Sequence, residues 1–157
     1  MQRDLKRLEE WSQKWLLDFN AEKCITMHIG HRNPHVAYSL NGSQLKDSNL
    51  EKDLGVHISS DLKPACNVNI AASKGNRMVG LIRRNFPLLD NEMCKSLYCS
   101  IVRPHLEYAI QSWSPYFVKD IQELEKVQRQ MTKLVPELKD LDYEERCASL
   151  GLTTLEK

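Results

Sequence analysis

The stretch WSQKWLLDFNAEKCITMHIG, residues 11–30, decides the fold of the first part of the chain because its hydrophobic period changes midway. The first half continues an amphipathic helix, whose apolar residues recur at steps of three and four. These helical positions are Leu8, Trp11, Trp15 and Phe19. The second half, residues 24–29, is an apolar run rich in β-branched and sulfur side chains, which predicts a strand. Lys23 lies at the junction, and the residues alone leave open whether this junction is a packing feature or one wall of a site.

The rest of the first 62 residues predicts further short strands around this junction. The helix is expected over residues 4–19, and its buried positions are expected to be Leu5, Leu8, Trp15 and Leu16. Strands are predicted over residues 24–29, 36–40, 44–50 and 52–59. Asn41-Gly42 favours a two-residue hairpin, and Gly55 within the last strand indicates a bulge or a close backbone approach. Residues 1–62 are thus predicted to form a small antiparallel sheet with one N-terminal helix.

A change to helical periodicity after Pro64 marks a second, all-helical part, residues 63–157. Pro64 suits the first turn of a helix that runs to about residue 84, and Asp90 is a good N-cap for a helix over residues 91–102. Pro104 is expected to end or kink that helix and to push Arg103 out of the helical region. Later helices are predicted over residues 105–113, from a capping box at Asp120 and Glu123, and from Asp142 to Gly151. The predicted fold class is therefore α+β, with a small sheet followed by a helical bundle.

Charge and composition exclude several classes of function. The net charge is +1, so no global field selects nucleic acid or membrane as a partner. No apolar run approaches the ~20 residues that span a bilayer, and no membrane partner is predicted. The five cysteines are odd in number and contain no C-x-x-C pair, and no secretory signal pattern stands at the start. These features predict reduced thiols in an intracellular protein of the nucleus or the cytoplasm.

Metal ligation is the first chemistry to consider. The clustered ligand types are Cys24, His28, His31 and His35. Their spacing matches no zinc pattern, and the last two fall in a predicted turn among polar residues. Two-metal phosphoryl chemistry needs closely placed aspartates, and the sequence contains no adjacent aspartate pair. Nothing local marks a cysteine as a nucleophile, so no metal site, cofactor or catalytic thiol is predicted within this chain.

Two helical faces carry clusters of basic residues. Lys74, Arg77 and Arg84 fall within one narrow sector of the helix after Pro64, because steps of three and seven return to nearly the same face. Arg83 lies elsewhere on that helix. A second face, on the following long helix, carries Lys126, Arg129 and Lys133. A basic helical face can lie along phosphates, and it is also typical of an ordinary solvated surface, so both interpretations stay open.

Five blocks of the sequence together resemble one family. The blocks are WSQKWLLDFNAEKCITMHIG (11–30), EKDLGVHISSDLKP (51–64), LYCSIVRPHLEYAIQSWSPY (97–116), DIQELEKVQRQMTKLVP (120–136) and DYEERCASLGLTTLE (142–156). In order and spacing they are similar to the reverse transcriptase of LINE-type non-LTR retrotransposons, the jockey-like group and its vertebrate relatives. The resemblance covers essentially the whole chain, and the pattern IVRPHLEYA…W-x-P followed by LEKVQRxxTK is highly specific.

The resemblance implies two parts of a polymerase, the end of the palm in residues 1–62 and a thumb-like helical domain in residues 63–157. Phe19-Asn20-x-x-Lys23 and the strand after it resemble motif D, in which Lys23 would be the general acid that protonates the leaving pyrophosphate. The triplet Leu54, Gly55 and Val56 resembles motif E, the primer grip, where a bent strand places the primer end.

A thumb follows the primer–template duplex through its backbone, so the expected partner is an RNA/DNA primer–template. Lys74, Arg77 and Arg84 are candidates for that contact from their shared helical face rather than from a family motif. The resemblance therefore implies which partner the basic face would bind. The assignment of these three residues still depends on helical geometry.

The family parts that do not occur in this sequence matter equally. They include the Tyr-x-Asp-Asp box that binds Mg²⁺ in the parent enzymes, the first palm aspartate and the fingers. We therefore expect a polymerase fragment that is inactive alone, has no cofactor of its own, and would need another chain to supply palm and fingers. Both chain ends fall within helical patterns, as in a fragment, which should leave Trp11, Trp15 and Tyr38 partly uncovered. The alternatives are a stand-alone nucleic-acid-binding module or a protein-interaction adaptor, and the oligomeric state stays open.

Overall fold

Short strands lie before residue 63 and helices after it, so the α+β class predicted from the sequence is confirmed. The computed structural model describes residues 1–30 and 32–155. The chain separates into two units, Met1–Leu62 and Lys63–Lys157, each with its own internal packing. None of the helices in the described ranges has both the length and the apolar character needed to cross a lipid bilayer.

Helix α1, Gln2–Trp15, ends earlier than its hydrophobic pattern predicts. The chain leaves the helix at Leu16, which adopts the left-handed region with φ 55°. The amide of Leu17 then donates to the carbonyl of Ser12, a bond that closes the last turn. Among the described residues of α1 only Ser12 is buried.

The predicted burial of the α1 apolar stripe is wrong for three of its four residues. Their exposed fractions are 46% for Leu8, 60% for Trp15 and 88% for Leu16. Polar side chains of α1 contact residues 39 and 41 instead: the Gln2 amide donates to the carbonyl of Ser39, and the Glu9 carboxylate accepts from the amide of Asn41. These contacts orient the helix, and its apolar stripe stays exposed within this unit.

The strands of the first unit form three separate two-stranded ladders instead of the single antiparallel sheet that was predicted. One ladder is parallel and joins β1, Ile25–Thr26, to β4, Lys46–Asp47. The other two ladders are antiparallel. They pair β2 (Ser39–Leu40) with β3 (Ser43–Gln44), and β5 (Leu50–Asp53) with β6 (Val56–Ser59).

Two tight turns set the antiparallel pairings. Asn41 and Gly42 both have positive φ, at 50° and 74°, so the predicted hairpin turn is confirmed. Leu54 and Gly55 repeat this geometry at 46° and 86°. The continuous strand predicted over residues 52–59 is therefore wrong: Gly55 reverses the chain at a hairpin tip rather than forming a bulge, because glycine accepts positive φ without steric cost.

The second unit consists of helices. Its α-helices are α2 (Ala65–Asn85), α3 (Asn91–Leu97), α4 (Arg103–Glu107), α5 (Ile110–Trp113), α6 (Val118–Thr132) and α7 (Tyr143–Leu150). A π-helical turn, Tyr98–Val102, joins α3 to α4, and a 3₁₀ helix, Pro136–Leu138, follows α6. Helix α2 packs against both α4 and α6, and α7 packs against α3 and α6.

Local capping signals fix several of these helix ends. The Asp90 carboxylate accepts from the amide of Met93, 2.8 Å away, as its N-cap role predicts. Asp142 and Glu145 form a reciprocal capping box at the start of α7, and Gly151 ends that helix with φ 61°. The start predicted for α6 is wrong, as the carbonyl of Phe117 accepts the first helical bonds and Asp120 lies buried in the first turn.

Pro104 does not end its helix, and the prediction that Arg103 leaves the helical region is also wrong. Arg103 has φ −55° and ψ −40°, which are helical values. The π-helical turn before it shifts the hydrogen-bond register, so the missing N–H of proline is accommodated. The break comes later, where Ala109 adopts φ 52° between α4 and α5.

The core of the second unit lies where α2 meets α4 and α6. Gly75 permits this close approach, since a Cβ at that position would come within 2.8 Å of Leu106 and 2.9 Å of Val127. Both of these side chains are buried. The outer side of α2 is thereby left on the surface of the unit, with its basic residues.

Candidate nucleic-acid interface

The outer face of α2 brings together the three cations that the sequence singles out. Lys74, Arg77 and Arg84 are all exposed, whereas Val68 and Ile82 of the same helix are buried. Within the described ranges none of the three makes an ion pair with a carboxylate. They are therefore available to an external anion.

The second predicted basic face, on α6, is largely occupied by contacts within the protein. The ammonium group of Lys126 lies 2.5 Å from the Glu123 carboxylate. The Arg129 guanidinium stacks over the Tyr143 ring, 4.6 Å from its centroid. Lys133, the third cation of this group, lines an open groove. The outer face of α2 is the stronger candidate for a phosphate contact.

This groove is a basic feature that the sequence does not reveal. It has a volume of about 690 Å³ and lies between α2, the end of α6 and the 3₁₀ helix Pro136–Leu138. Its cations are Arg83, Lys133 and Lys139. Arg83 lies apart from the α2 face, and helical periodicity cannot detect a cluster whose members come from three elements.

Lys23 lies at the end of a short 3₁₀ helix, Ala21–Lys23, and is exposed. The Asn20 side chain caps this turn by accepting from the amides of Glu22 at 3.0 Å and Lys23 at 3.3 Å. In the Asn20-x-x-Lys23 pattern the asparagine thus has a physical role, since it holds the turn that presents the lysine. No ion pair to Lys23 is present in the described part of the chain.

Leu54, Gly55 and Val56 occupy the tip of the β5–β6 hairpin. Leu54 is 87% exposed, and Val56, the first residue of β6, is half-buried. Lys23 precedes the β1–β4 ladder, so it and the hairpin tip lie on separate elements of the first unit. The outer face of α2 belongs to the second unit.

The cluster of histidine and cysteine residues near β1 contains one buried histidine that contacts its neighbours. His28 is buried, with Nδ1 2.9 Å from Asn33 Oδ1 and Nε2 3.4 Å from Asp47 Oδ1. The His35 ring packs against it at 4.6 Å, and Cys24 is a free thiol. Across residues 1–30 and 32–155 no three His, Cys, Asp or Glu side chains are grouped so that they could hold a metal ion. His31 lies outside the described residues.

The clearest pKa shifts belong to one thiol and two tyrosine hydroxyls of the second unit. Burial, with a smaller contribution from the charge of Asp90, raises the pKa of the Cys94 thiol to about 11. Burial also raises the pKa of the Tyr98 and Tyr143 hydroxyls far above the usual range. All three groups stay protonated at neutral pH, and each donates a hydrogen bond within the unit.

Comparison with protein-family models, curated proteins and solved structures finds no match to this chain. A functional interpretation therefore depends on the sequence blocks and on the geometry of the two units.

Proposed function

We propose that this chain is the palm-end and thumb part of an RNA-directed DNA polymerase of LINE-type non-LTR retrotransposons, and that its own contribution is to hold the primer–template duplex. The observation that carries the proposal is the outer face of α2, where Lys74, Arg77 and Arg84 lie exposed and without ion pairs in the described part of the chain. Exposed cations on one helical face each neutralise a backbone phosphate and release its counterions. The unit that carries this face is the one that resembles the thumb.

The first unit supports the same proposal at two positions. Asn20 caps the turn that presents Lys23, as a motif D lysine would need to be presented. The β5–β6 hairpin exposes Leu54 at its tip, a geometry that suits contact with a primer end. In the complete enzyme Lys23 would protonate pyrophosphate, and the Mg²⁺ ions would be held by aspartates of the Tyr-x-Asp-Asp box, which this sequence does not contain.

Binding to an RNA–DNA hybrid tests the proposal. The triple variant Lys74→Gln, Arg77→Gln, Arg84→Gln should bind a labelled hybrid about tenfold or more weakly at low salt, as measured by fluorescence anisotropy. The slope of log affinity against log salt should fall by about 2 to 3, since each lost phosphate contact removes about 0.9.

A matched variant tests whether a loss of affinity comes from the α2 face or from the change in net charge. Arg3, Lys6 and Lys14 are exposed cations of α1 without ion pairs in the described residues, and changing all three to Gln removes the same charge. This control should leave hybrid affinity nearly unchanged. If both triple variants lose affinity equally, or if the unmodified chain does not bind the hybrid at low salt, the α2 face is not the binding surface.

A protein-interaction adaptor is the second candidate function, and the exposed apolar stripe of α1 favours it. Trp11 is 46% exposed and Trp15 60%, so two large aromatic side chains face solvent within their unit. Exposed contiguous apolar surface of this kind is typical of contacts with another protein. Under the polymerase proposal the chain that supplies palm and fingers would cover it. Under the adaptor interpretation nucleic-acid binding would be absent, which the anisotropy measurement distinguishes.

A further inference from the structure

The groove beside α2 combines three features that the proposed duplex contact does not use. The walls come from the second half of α2, the end of α6 and the 3₁₀ helix Pro136–Leu138, and they enclose about 690 Å³. This volume lies within the ~300–1,000 Å³ of small-ligand sites. The residues that matter are the cations Arg83, Lys133 and Lys139, the amides Asn76 and Gln130, and the ring of Phe86.

The first feature is a cluster of cations that no carboxylate of the lining neutralises. The lining contains three cations and no carboxylate in the part of the chain that the structure describes. Arg83, Lys133 and Lys139 also make no ion pair within residues 1–30 and 32–155. Helices α2 and α6 both end here, and their carbonyl ends offset part of the repulsion among the cations. A concave surface with this charge concentrates anions.

The second feature is an apolar wall next to the cations. Phe86 is 38% exposed, and Pro87, Leu134 and Pro136 extend the same wall. An exposed aromatic ring beside lysine and arginine is the combination by which proteins bind single-stranded nucleic acid, since a base stacks on the ring while its phosphate lies against the cations.

The third feature is the pair of amides at the groove. Asn76 and Gln130 are exposed, and each carries both a donor and an acceptor that can meet the polar edge of a base. Bases in a duplex are already paired and stacked, so they can neither hydrogen-bond to these amides nor stack on the Phe86 ring. An unpaired base can use both.

We propose that this groove binds one unpaired nucleotide of a single-stranded nucleic acid, with its base on Phe86 and its phosphates between Arg83, Lys133 and Lys139. The proposal goes beyond duplex binding, because it assigns a different ligand to different residues. Arg83 and Arg84 are adjacent in the chain, yet a step of about 100° separates their directions on α2. One faces the groove, and the other belongs to the outer face.

Gly80 provides a variant that closes the groove without disturbing the core. Gly80 lines the groove, and a Cβ added there meets no heavy atom within 4 Å. The variant Gly80→Leu therefore places its side chain in open space and improves the helix propensity of α2. In anisotropy titrations with a labelled ten-nucleotide oligothymidylate, it should lower affinity about fivefold or more. Affinity for the RNA–DNA hybrid should stay unchanged.

The outer-face variant supplies the opposite control. Lys74→Gln, Arg77→Gln, Arg84→Gln should weaken hybrid binding more than oligothymidylate binding, so the two proposals fail separately. If Gly80→Leu binds oligothymidylate as the unmodified chain does, the groove proposal is overturned, whatever the result for the hybrid. Thermal unfolding followed by circular dichroism checks that each variant is folded.

A spectroscopic readout tests the stacking itself. The variant Phe86→Trp places an indole at the apolar wall, and stacking of a base should quench its added fluorescence as oligothymidylate is titrated. Quenching should be lost when Gly80→Leu is combined with it. No quenching overturns the proposal, and so does equal quenching by thymidine monophosphate at the same nucleotide concentration, because the groove would then be a site for free nucleotides.

Discussion

Buried polar side chains connect the last residues of the second unit to α6. The Tyr98 hydroxyl donates to Gln128 Oε1 at 2.5 Å, and Gln128 Nε2 donates to the carbonyl of Thr153 at 2.9 Å. Glu125 accepts from the amide of Leu155, also at 2.9 Å. Glu125 and Gln128 are polar residues on the buried side of α6, and each has a hydrogen-bond partner. The segment after α7 is therefore fixed by hydrogen bonds as well as by packing.

Cys94 gives the unfolding free energy a dependence on alkaline pH. Its thiol is fully buried and donates to the carbonyl of Met131, and burial raises its pKa from 9.0 to about 11. Below pH 9 the thiol is protonated in both states and has no effect. Between pH 9 and 11 it ionises mainly in the unfolded state, so stability should fall as pH rises, by up to about 2.5 kcal/mol.

Urea denaturation at pH 7.5, 9 and 10.5 measures this dependence. Cys94→Ala should reduce the loss of stability between pH 9 and 10.5, although Tyr98 and Tyr143 still contribute, since burial raises the pKa of both hydroxyls. Cys99→Ala removes an exposed thiol and should keep the original dependence. Equal slopes for both variants would contradict the assignment to Cys94.

At the scale of elements, the two glycines of α2 make opposite predictions. A Cβ at Gly75 would come within 3 Å of the Leu106 and Val127 side chains, so Gly75→Ala should destabilise the second unit by about 1–3 kcal/mol. Gly80 has open space around it, and Gly80→Ala should stabilise α2 by about 0.5–1 kcal/mol. Urea midpoints should shift in opposite directions. If Gly75→Ala leaves the urea midpoint unchanged, α4 and α6 can move away from α2 without loss of stability.

Elements whose ends depend on a few neighbouring residues could be predicted from the sequence. The Asn41-Gly42 turn, the Asp90 cap and the helix start at Asp142 each depend on contacts within four residues, and all three are confirmed. Strand pairing failed because it depends on distant partners. The β1 strand pairs in parallel with Lys46–Asp47, a choice that no local pattern contains.

The orientation of α1 and the groove were beyond prediction for the same reason. The hydrophobic pattern of α1 locates its apolar stripe but not its orientation, which depends on the tertiary contacts of Gln2 with Ser39 and of Glu9 with Asn41. The outer face of α2 follows from helical spacing alone. The groove needs Arg83, Lys133 and Lys139 from three elements, and their proximity is a product of tertiary packing.

At the scale of the whole molecule, duplex binding and phosphoryl transfer require different residues. Under the proposed function, contact with a duplex backbone requires exposed cations, and the outer face of α2 in the second unit carries three of them. Phosphoryl transfer by the two-metal mechanism requires carboxylates that hold both ions. The sequence contains no adjacent aspartates and no Tyr-x-Asp-Asp box, so the proposed function separates nucleic-acid binding from catalysis in this chain.

Primer extension tests that separation directly. With a labelled DNA primer on an RNA template, deoxynucleotides and either Mg²⁺ or Mn²⁺, the chain alone should give no incorporation above a heat-treated control. Lys23→Ala should change nothing in this assay, because a general acid accelerates a reaction only where the metal-bound phosphates are present. The same variant should also keep the affinity for the hybrid, since Lys23 is not one of the three cations of the α2 face. Incorporation that depends on Lys23 would contradict the proposal, as it would mean that other carboxylates of this chain hold the metal ions.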